Sequence, residues 1–386
     1  MTTYRPQTIK RTIDLKALLK SKSHILLGPR QTGKSFLIRE QLKSIKKYNL
    51  LLTEDFQKLS FDITTIRKEL TKEDKIIVID EIQKLPELLD EVQYLIEEKG
   101  IRFLLTGSSA RKLRRQSTNL LAGRARIISI HPFTSMELGK KFNLNRAVQY
   151  GLLPSIYFSD KPLLDLRTYV GTYVQQEVSN ESLIRNLTTF TRFLEVASLC
   201  NAEQIDYTSI SNDAQISRTT IQEYFQVLED TLIGFRLPAW KETKKRKPMT
   251  SDKFYFFDWG ITKTLQGIKE ITPKTELYGK AIESLLFQEL RAYCDYNENL
   301  DLHYWRSYQK EEVDFILDNK VAIEVKSGTI FRKEWLKSMV HLQNEGLLKK
   351  YLIVYLGPSI RLDSHPWLQI FNINDFLKTL WTHKLL

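Results

Sequence analysis

The sequence predicts an α/β protein of more than one domain, and three observations lead to that prediction. Near the N-terminus, an apolar strand runs into a glycine-containing loop and a helix, in the segment "HILLGPRQTGKSFLIREQL". A central stretch has helix-turn-helix spacing, and the last third alternates helices and strands. With 386 residues, of which 42% are hydrophobic and 27% charged, the chain is long enough for two or three folded domains.

The cysteine content, the hydropathy and the charge of the chain argue against several classes of protein. The two cysteines, Cys200 and Cys294, are far apart, which argues against a disulfide framework or a cysteine-based zinc site and favours the reducing cytoplasm. The start of the chain has no apolar leader, and no run approaches the roughly 18 apolar residues of a membrane span, so we expect no membrane association. The net charge of +12 lies mostly in residues 1–140 and favours a polyanion such as nucleotide or nucleic acid, although a generally basic surface is the alternative.

The glycine-containing loop predicts a nucleotide site. An apolar run at 25–27 precedes "GPRQTGKS", and helical spacing follows, so the pattern G-x-x-x-x-G-K-S has the strand–loop–helix context that a phosphate-binding loop requires. Backbone N–H groups are expected to surround the phosphates, Lys34 to reach the β- and γ-phosphates, and Ser35 to offer a hydroxyl to Mg²⁺. The cofactor-binding residues predicted from the loop are Gly28, Pro29, Arg30, Gln31, Thr32, Gly33, Lys34 and Ser35.

Two further apolar strands end in polar residues that suit nucleotide hydrolysis. "KIIVIDEIQKLP" ends its apolar run at Asp80, which is expected to hold Mg²⁺, and Glu81, which is expected to polarise the attacking water. An acidic pair after a strand also serves as a helix N-cap, but its distance from the loop favours the magnesium role. "RFLLTGSS" places Thr106 and Ser108 where a hydroxyl can sense the γ-phosphate.

Six basic residues and no acidic one lie between positions 111 and 126. Among them, Arg124 in "LAGR" is a candidate arginine finger, which would stabilise charge on the transferred phosphoryl group. The alternatives are that these arginines bind DNA or are simply solvated. The sequence leaves open whether Arg124 would act on its own nucleotide or on that of a neighbour in a homo-oligomer.

Together, "GPRQTGKS", "IDEIQ", "LLTGSS" and "LAGR" resemble the AAA+ superfamily, specifically prokaryotic ATPases that end in a domain of unknown function. The resemblance implies an ATPase that binds ATP with Mg²⁺ and hydrolyses it. It also implies that the segment 132–138, "PFTSMEL", closes the ATPase core. We therefore expect a P-loop AAA+ ATPase core over residues 1–140.

The middle of the chain predicts two helical segments. Leucine-rich periodic patches at 141–187 indicate a helical lid. The order of helices and turns at 188–260 is typical of a winged-helix-like domain. In it, Ser217 is expected to cap a helix that carries Ile221, Phe225 and Leu228 on one face. That helix is net acidic, which argues against sequence-specific DNA reading. The following loop offers phosphate-backbone contacts to DNA or RNA, or is a solvated loop; its basic residues are Lys241, Lys244, Lys245, Arg246 and Lys247.

The segment 261–386 predicts a second α/β domain. A helix with an apolar stripe is followed by strands at "LHYWR", "VDFIL" and "VAIEVKSG", a helix from about 333 to 344, and a strand at "YLIVYL". The two strands of "VDFILDNKVAIEVKSG" form a hairpin turning at Asp318-Asn319. Strand alternation puts Glu324 and Lys326 on one face of their strand.

This order of elements resembles the core of the PD-(D/E)XK nuclease superfamily, although the proline of the family motif is missing here. The resemblance implies a Mg²⁺-dependent phosphodiesterase site with Glu283, Asp314, Glu324 and Lys326 as catalytic residues, in which Asp314 and Glu324 hold the metal. Glu311 and Glu312, beside Asp314, are alternative acidic ligands. A Glu-x-Lys pair on a strand is also a common surface ion pair.

Three functions follow as hypotheses. The first is an ATPase that acts on nucleic acid through a Mg²⁺-dependent nuclease-like domain. The second is an ATP-driven switch whose C-terminal domain is a catalytically inactive binding module. The third is a DNA-binding regulator that uses the winged-helix-like segment, against which the acidic helix argues.

Overall fold

The computed structural model describes residues 8–107, 121, 123–174, 186–242, 251–307 and 311–386. The chain folds into two compact units. The N-terminal unit comprises Thr8–Pro132 with Asp230–Leu232, and the larger unit comprises Phe133–Glu229 with Ile233–Leu386. Apart from Asp230–Leu232, the described residues of 141–386 therefore belong to one compact unit.

The N-terminal unit is built on a five-stranded parallel sheet in the order β2-β3-β4-β1-β5. Its strands are β1 (Ser23–Leu27), β2 (Lys46–Asn49), β3 (Ile76–Asp80), β4 (Arg102–Gly107) and β5 (Ala125–Ser129). The apolar runs of β1, β3 and β4 are buried because helices cover a parallel sheet on both faces. The described helices of this unit are Leu15–Ser21, Lys34–Gln41, Thr53–Phe61, Thr65–Lys68 and Leu88–Lys99, with a 3-10 turn at Ile82–Lys84.

The first half of the larger unit is mainly helical, as the sequence predicts. Its helices are Ser135–Leu138, Leu144–Tyr150, Pro154–Tyr157, Pro162–Thr168, Leu187–Leu199, Tyr207–Ala214 and Arg218–Asp230, with a 3-10 turn at Gly139–Lys141 and a π-helix at Tyr169–Val174. The Ser217 hydroxyl accepts a hydrogen bond from the backbone N–H of Thr220 at 3.2 Å, which confirms the predicted cap. Ile221, Phe225 and Leu228 are all buried in one apolar cluster.

A small antiparallel sheet follows in the order β6-β8-β7. Its strands are β6 (Glu203–Gln204), β7 (Gly234–Leu237) and β8 (Lys253–Phe256). The apolar runs 232–240 and 254–258, which the sequence predicts to form a hairpin, supply β7 and β8, and these two strands pair antiparallel. The arrangement of three helices with this sheet agrees with the winged-helix interpretation, which stays a prediction.

The second half of the larger unit contains a mixed five-stranded sheet in the order β13-β12-β11-β10-β9. Its strands are β9 (Leu302–Arg306), β10 (Glu312–Leu317), β11 (Val321–Lys326), β12 (Lys350–Tyr355) and β13 (Leu368–Asn372). The helices are Trp259–Leu265, Glu276–Tyr296, Leu336–Gln343 and Ile373–Trp381, with a 3-10 turn at Lys333–Trp335. The β10–β11 hairpin turns at Asp318 and Asn319, both at φ 50°, and the predicted order of elements is confirmed.

The small sheet and the mixed sheet are joined by backbone hydrogen bonds. The N–H of Trp240 donates to the carbonyl of Tyr304 at 2.7 Å, and the N–H of Tyr304 donates to the carbonyl of Pro238 at 3.1 Å. One apolar cluster contains Tyr255 of β8 together with Phe287 and Phe315. No helix of the described ranges is both long and apolar enough to cross a membrane.

Candidate nucleotide site and C-terminal carboxylate cluster

The phosphate-binding loop lies where the sequence places it, between β1 and the helix Lys34–Gln41. Two of its positions require glycine. A Cβ at Gly28 would lie 2.5 Å from the carbonyl oxygen of Ile130, and Gly33 has a φ of 96°, in the left-handed region that favours glycine. The loop leads directly into the N-terminus of the helix Lys34–Gln41, which is a favourable position for an anion.

Lys34 and Arg11 are both directed at the loop. The Lys34 ammonium donates to the carbonyl oxygens of Gly28 at 2.5 Å and Pro29 at 3.1 Å. The buried Arg11 guanidinium donates to the carbonyls of Thr32 at 2.8 Å and His131 at 2.5 Å, which braces the loop from outside the motif. Because phosphate oxygens are charged acceptors, we expect the Lys34 ammonium to exchange its loop carbonyls for them. Sequence reasoning missed Arg11, since it lies in no motif.

The carboxyl ends of three parallel strands bring Ser35, Asp80 and Thr106 together. Since β4 lies between β1 and β3, its last residues flank both the phosphate-binding loop and Asp80. The Ser35 hydroxyl donates to Asp80 Oδ2 at 3.4 Å, and the Thr106 hydroxyl donates to Asp80 Oδ1. Both carboxylate oxygens of Asp80 are thus oriented by hydroxyl groups.

Glu81 has a strained backbone. Its φ of 61° is left-handed, and its N–H donates to Thr106 Oγ1 at 3.0 Å. Its side chain makes no hydrogen bond that caps the 3-10 turn beginning at Ile82 and instead accepts one from the amide of Gln83. Strain of this kind in a non-glycine residue is commonly found at functional sites, and it is not what a simple helix cap would require.

The donor set beside the loop fits Mg²⁺. A hydroxyl and a carboxylate oxygen 3.4 Å apart are hard oxygen ligands of the kind this ion prefers, so Ser35 and Asp80 would hold it. When bound, the ion would neutralise charge on the phosphates.

Arg124 lies at the opposite edge of the sheet from the phosphate-binding loop. It directly precedes β5, whose first residue pairs with Ser23 at the start of β1, whereas the loop follows Leu27 at the end of β1. Five strand residues separate the two edges, about 16 Å at the usual rise. Arg124 forms an ion pair with Glu97. Ser108, the other residue proposed to sense the γ-phosphate, lies outside the described residues.

The larger unit brings together the four residues predicted for the C-terminal site. Glu283 projects from the helix Glu276–Tyr296, Asp314 lies on β10, and Glu324 and Lys326 lie on β11. Ile323 and Val325 face one apolar cluster, so Glu324 and Lys326 share the other face, as predicted. Lys326 Nζ lies 2.5 Å from Glu324 Oε1.

A β-bulge positions Asp314. The pairing of β10 with β9 shifts register between Val313 and Ile316, so an extra residue stands at Asp314-Phe315. Asp314 Oδ2 then accepts a hydrogen bond from the N–H of Val325 at 2.7 Å. Bulges of this kind redirect a side chain beside a site, and here the bulge ties the carboxylate to β11.

A lysine that the sequence did not single out lies in the same cluster. Lys253 of β8, with only 3% of its side chain exposed, has its ammonium 3.1 Å from Glu283 Oε1 and 3.9 Å from Asp314 Oδ1, and it also binds Glu312. Tyr255, two residues along, donates its hydroxyl to Glu283 Oε1 at 2.6 Å. Only the tertiary structure places these residues here, because a lone lysine between Asp252 and Phe254 carries no sequence signal.

Burial and charge set the protonation of this cluster. Burial raises the pKa of Asp314 well above its usual range, and the charges of Glu324 and Glu283 raise it further. Burial lowers the pKa of Lys253, but Glu283, Tyr255, Glu312 and Asp314 outweigh that effect and raise the pKa well above its usual value. Burial also lowers the pKa of Lys326, and Glu324 and Asp314 raise it overall. Both shifts favour the charged form of the two lysines.

The cluster does not fit the Mg²⁺ that the nuclease resemblance implies. The Lys253 ammonium takes the position between Glu283 and Asp314, and Lys326 binds Glu324. Within the described part of the chain, no group of three or more His, Cys, Asp or Glu side chains is arranged to hold a metal ion. One carboxylate oxygen, Glu324 Oε2, is buried without a hydrogen-bond partner among the described residues.

Two other sets of residues predicted from the sequence are the acidic neighbours of Asp314 and the basic loop that begins at Lys241. The Glu311 carboxylate lies next to the His341 ring and 3.8 Å from Lys337 Nζ, so it belongs to a different contact from Glu312. Of the basic loop, Lys241 is exposed. The other four basic positions, Lys244, Lys245, Arg246 and Lys247, lie outside the described residues.

Comparison with family models divides the chain into three matches. Residues 20–139 match an AAA domain, residues 141–272 match a domain of unknown function (DUF8612), and residues 278–370 match another (DUF4143). The AAA match coincides with the phosphate-binding loop and its parallel sheet. The N-terminal unit thus contains a match to an AAA domain, which supports ATP binding. The match over β9 to β13 names no activity, so the nuclease-like assignment stays a prediction.

Individual proteins are similar over most of their length. A protein of Mycobacterium tuberculosis described as uncharacterized is 24% identical over 357 residues, which cover 89% of this chain and 78% of that protein. An uncharacterized protein of Methanocaldococcus jannaschii is 24% identical over 358 residues, covering 83% of this chain and 78% of that one.

Two solved structures are similar to this chain at low TM-scores. A structure of the Aeropyrum pernix ORC1 protein in complex with DNA has a TM-score of 0.28 at 13% identity, covering 68% of this chain and 94% of that chain. A STAND protein from Pyrococcus horikoshii has a TM-score of 0.25 at 15% identity, covering 76% of this chain and 48% of that one. At these TM-scores the similarity supports no functional conclusion.

Proposed function

We propose that this protein is an ATP-hydrolysing switch whose C-terminal α/β domain is a binding module rather than a nuclease. The observation that carries the ATPase part is the convergence of the phosphate-binding loop with Ser35, Asp80 and Thr106 at one edge of the sheet. Lys34 would bind phosphate oxygens, and Glu81, held by Thr106, would polarise the attacking water.

The ATPase proposal is tested with two variants that separate binding from hydrolysis. Lys34→Ala removes the ammonium that faces the phosphates, and we expect ATP affinity to fall more than about 100-fold, as for loss of a buried charged contact. Glu81→Gln keeps the size of the side chain but not its charge, so ATP binding should persist while hydrolysis is lost. Calorimetric titration with ATP and a phosphate-release assay measure the two effects.

The matched control is Lys43→Ala, since Lys43 is an exposed lysine that lies 3.9 Å from Glu40 in a surface ion pair. It should bind and hydrolyse ATP like the unaltered protein. Unchanged ATP affinity in Lys34→Ala would refute the assignment of the loop.

A second candidate function is nucleic-acid cleavage by the C-terminal domain. It is favoured by the convergence of Glu283, Asp314, Glu324 and Lys326, and by the unpartnered oxygen of Glu324 within the described residues. The Lys253 ammonium inside the same cluster argues against it, because a cation already compensates the carboxylates. That contact is why the binding module is our first proposal.

Cleavage assays on single- and double-stranded DNA and RNA, with Mg²⁺ or Mn²⁺ and with and without ATP, decide between the two. Our first proposal predicts no cleavage of any substrate. Cleavage that is lost in Glu324→Gln and retained in Glu334→Gln, a carboxylate with 68% of its side chain exposed, would instead establish the nuclease.

A further inference from the structure

One side chain from the small sheet lies inside the carboxylate cluster of the mixed sheet. Lys253 is the first residue of β8, and its ammonium contacts Glu283 from the long helix, Glu312 from β10 and Asp314 from the bulge. Three carboxylates that approach one point repel each other unless a cation compensates them. Here the compensating cation is part of the chain.

The backbone around Lys253 leaves the side chain little freedom to withdraw. Lys253 pairs with Leu237 of β7 on one side and with Gln204 of β6 on the other, so β8 is the central strand of its sheet. The side chain of Tyr304 accepts a hydrogen bond from Gln204 Nε2 at 2.7 Å and donates one to the carbonyl of Ser251. These contacts hold the start of β8 against β9.

Neighbouring side chains hold the carboxylates that contact the ammonium. Glu283 Oε1 accepts from both the Tyr255 hydroxyl and the Lys253 ammonium, and Glu312 is also held by Arg306 at 3.1 Å. A Mg²⁺ about 2.1 Å from these oxygens would lie close to the Lys253 ammonium, and like charges this close repel strongly where water is excluded.

We propose that Lys253 is a built-in counter-ion that occupies the cation position of the cluster, so that the unaltered protein binds no divalent cation at Glu283 and Asp314. The cluster is then a junction that joins the small sheet to the mixed sheet. It would disfavour metal-dependent cleavage by the unaltered chain.

The decisive experiment removes the internal cation and asks whether a metal replaces it. Lys253→Met leaves Glu283, Glu312 and Asp314 uncompensated, and Mn²⁺ is then expected to bind. Mn²⁺ binding to nucleotide-free protein is measured by electron paramagnetic resonance, together with the thermal midpoint. We expect one additional bound Mn²⁺ and a midpoint raised by more than about 4 °C at millimolar Mn²⁺, with no such change in the unaltered protein.

Lys263→Met is the matched control. Lys263 is also buried, but its ammonium donates to the carbonyl of Gln149 at 2.7 Å and not to a carboxylate cluster. Losing it should lower stability without creating a Mn²⁺ site. An equal gain of Mn²⁺ binding in both variants, or none in Lys253→Met, would overturn the proposal.

A second experiment tests the proposal without relying on the folding of the Lys253→Met variant. The unaltered protein is compared with Asp314→Asn in the same Mn²⁺ titration, and the two should be indistinguishable because no metal sits at the cluster. A Mn²⁺ ion that the unaltered protein binds and Asp314→Asn loses would refute the counter-ion. Should Lys253→Met fold only in the presence of Mn²⁺, that dependence is the predicted replacement itself.

Discussion

At the residue scale, Thr106 connects the two acidic residues of the nucleotide site. Its buried hydroxyl donates to Asp80 Oδ1 and accepts from the N–H of Glu81 at 3.0 Å. Through these two bonds it orients one carboxylate and satisfies the strained backbone of the other. We therefore propose the assignment of Thr106 as a positioning residue, while its predicted contact with the γ-phosphate stays a prediction.

Replacing Thr106 by valine tests this role, because valine has the same shape without the hydroxyl. Asp80 would lose an orienting donor and the Glu81 N–H would lose its acceptor. We expect kcat for ATP hydrolysis to fall about 10- to 100-fold, as for other residues that orient metal ligands, with ATP affinity nearly unchanged. Thr106→Ser should restore most of kcat, and a valine variant with the kcat of the unaltered protein would contradict the assignment.

At the element scale, the direction of the strands decides what Arg124 can reach. Parallel strands put all their carboxyl ends at one edge, where the phosphate-binding loop, Asp80 and Thr106 lie, and put the residue before β5 at the other. Arg124 is therefore separated from the nucleotide site of its own chain by the length of β1. An arginine finger at this position would have to act on a second copy of the chain.

Mixing two inactive variants tests the action of Arg124 across copies. Arg124→Ala keeps its own phosphate-binding loop, and Lys34→Ala keeps its own Arg124. If the arginine acts in trans, each variant alone hydrolyses ATP poorly and the mixture recovers part of the activity, measured by phosphate release. If Arg124→Ala alone hydrolyses ATP normally, the residue serves only its ion pair with Glu97, a partly exposed contact worth roughly 0.5 kcal/mol.

At the scale of the whole molecule, the larger unit buries carboxyl groups whose protonation depends on folding. Burial raises the pKa of Glu289 to about 7, although hydrogen bonds from Trp381 and Ser135 oppose it. Burial likewise raises the pKa of Asp258 to about 6, against backbone N–H donors that include Leu152 and Gly260. At these two groups, the folded unit therefore binds more protons than the unfolded chain between about pH 4.5 and pH 7.

Stability should consequently fall as the pH rises through this interval, since the state that binds more protons is favoured at low pH. Glu289 by itself contributes at most about 3 kcal/mol over the interval, from roughly 1.4 kcal/mol per pH unit. Glu289→Gln cannot ionise, so urea unfolding at several pH values should show a shallower decrease. Glu276→Gln, on the same helix but with 88% of its side chain exposed, should follow the unaltered protein. Parallel curves for all three proteins would contradict this origin of the pH dependence.

Local pattern was enough to predict most elements of the fold. The helix Arg218–Asp230 with its Ser217 cap, the turn at Asp318-Asn319 and the loop before Lys34 each depend on neighbours within a few residues. Hydrogen bonding and side-chain alternation over such short distances leave few alternatives for the backbone. For the same reason, Glu324 and Lys326 could be assigned to one face of β11 before any contact was known.

Tertiary structure decided which distant residues meet. Lys253 lies 30 residues from Glu283 and 61 from Asp314, and Arg11 lies 120 from His131, so no local pattern links them. Sheet order placed Arg124 away from the loop, and the position of β8 put an ammonium among the carboxylates assigned to a metal. The sequence by itself determined the phosphate-binding loop pattern and the acidic residues on β10 and β11. Long-range packing decided which cation compensates those acids, because charge compensation depends on distances in space rather than on spacing along the chain.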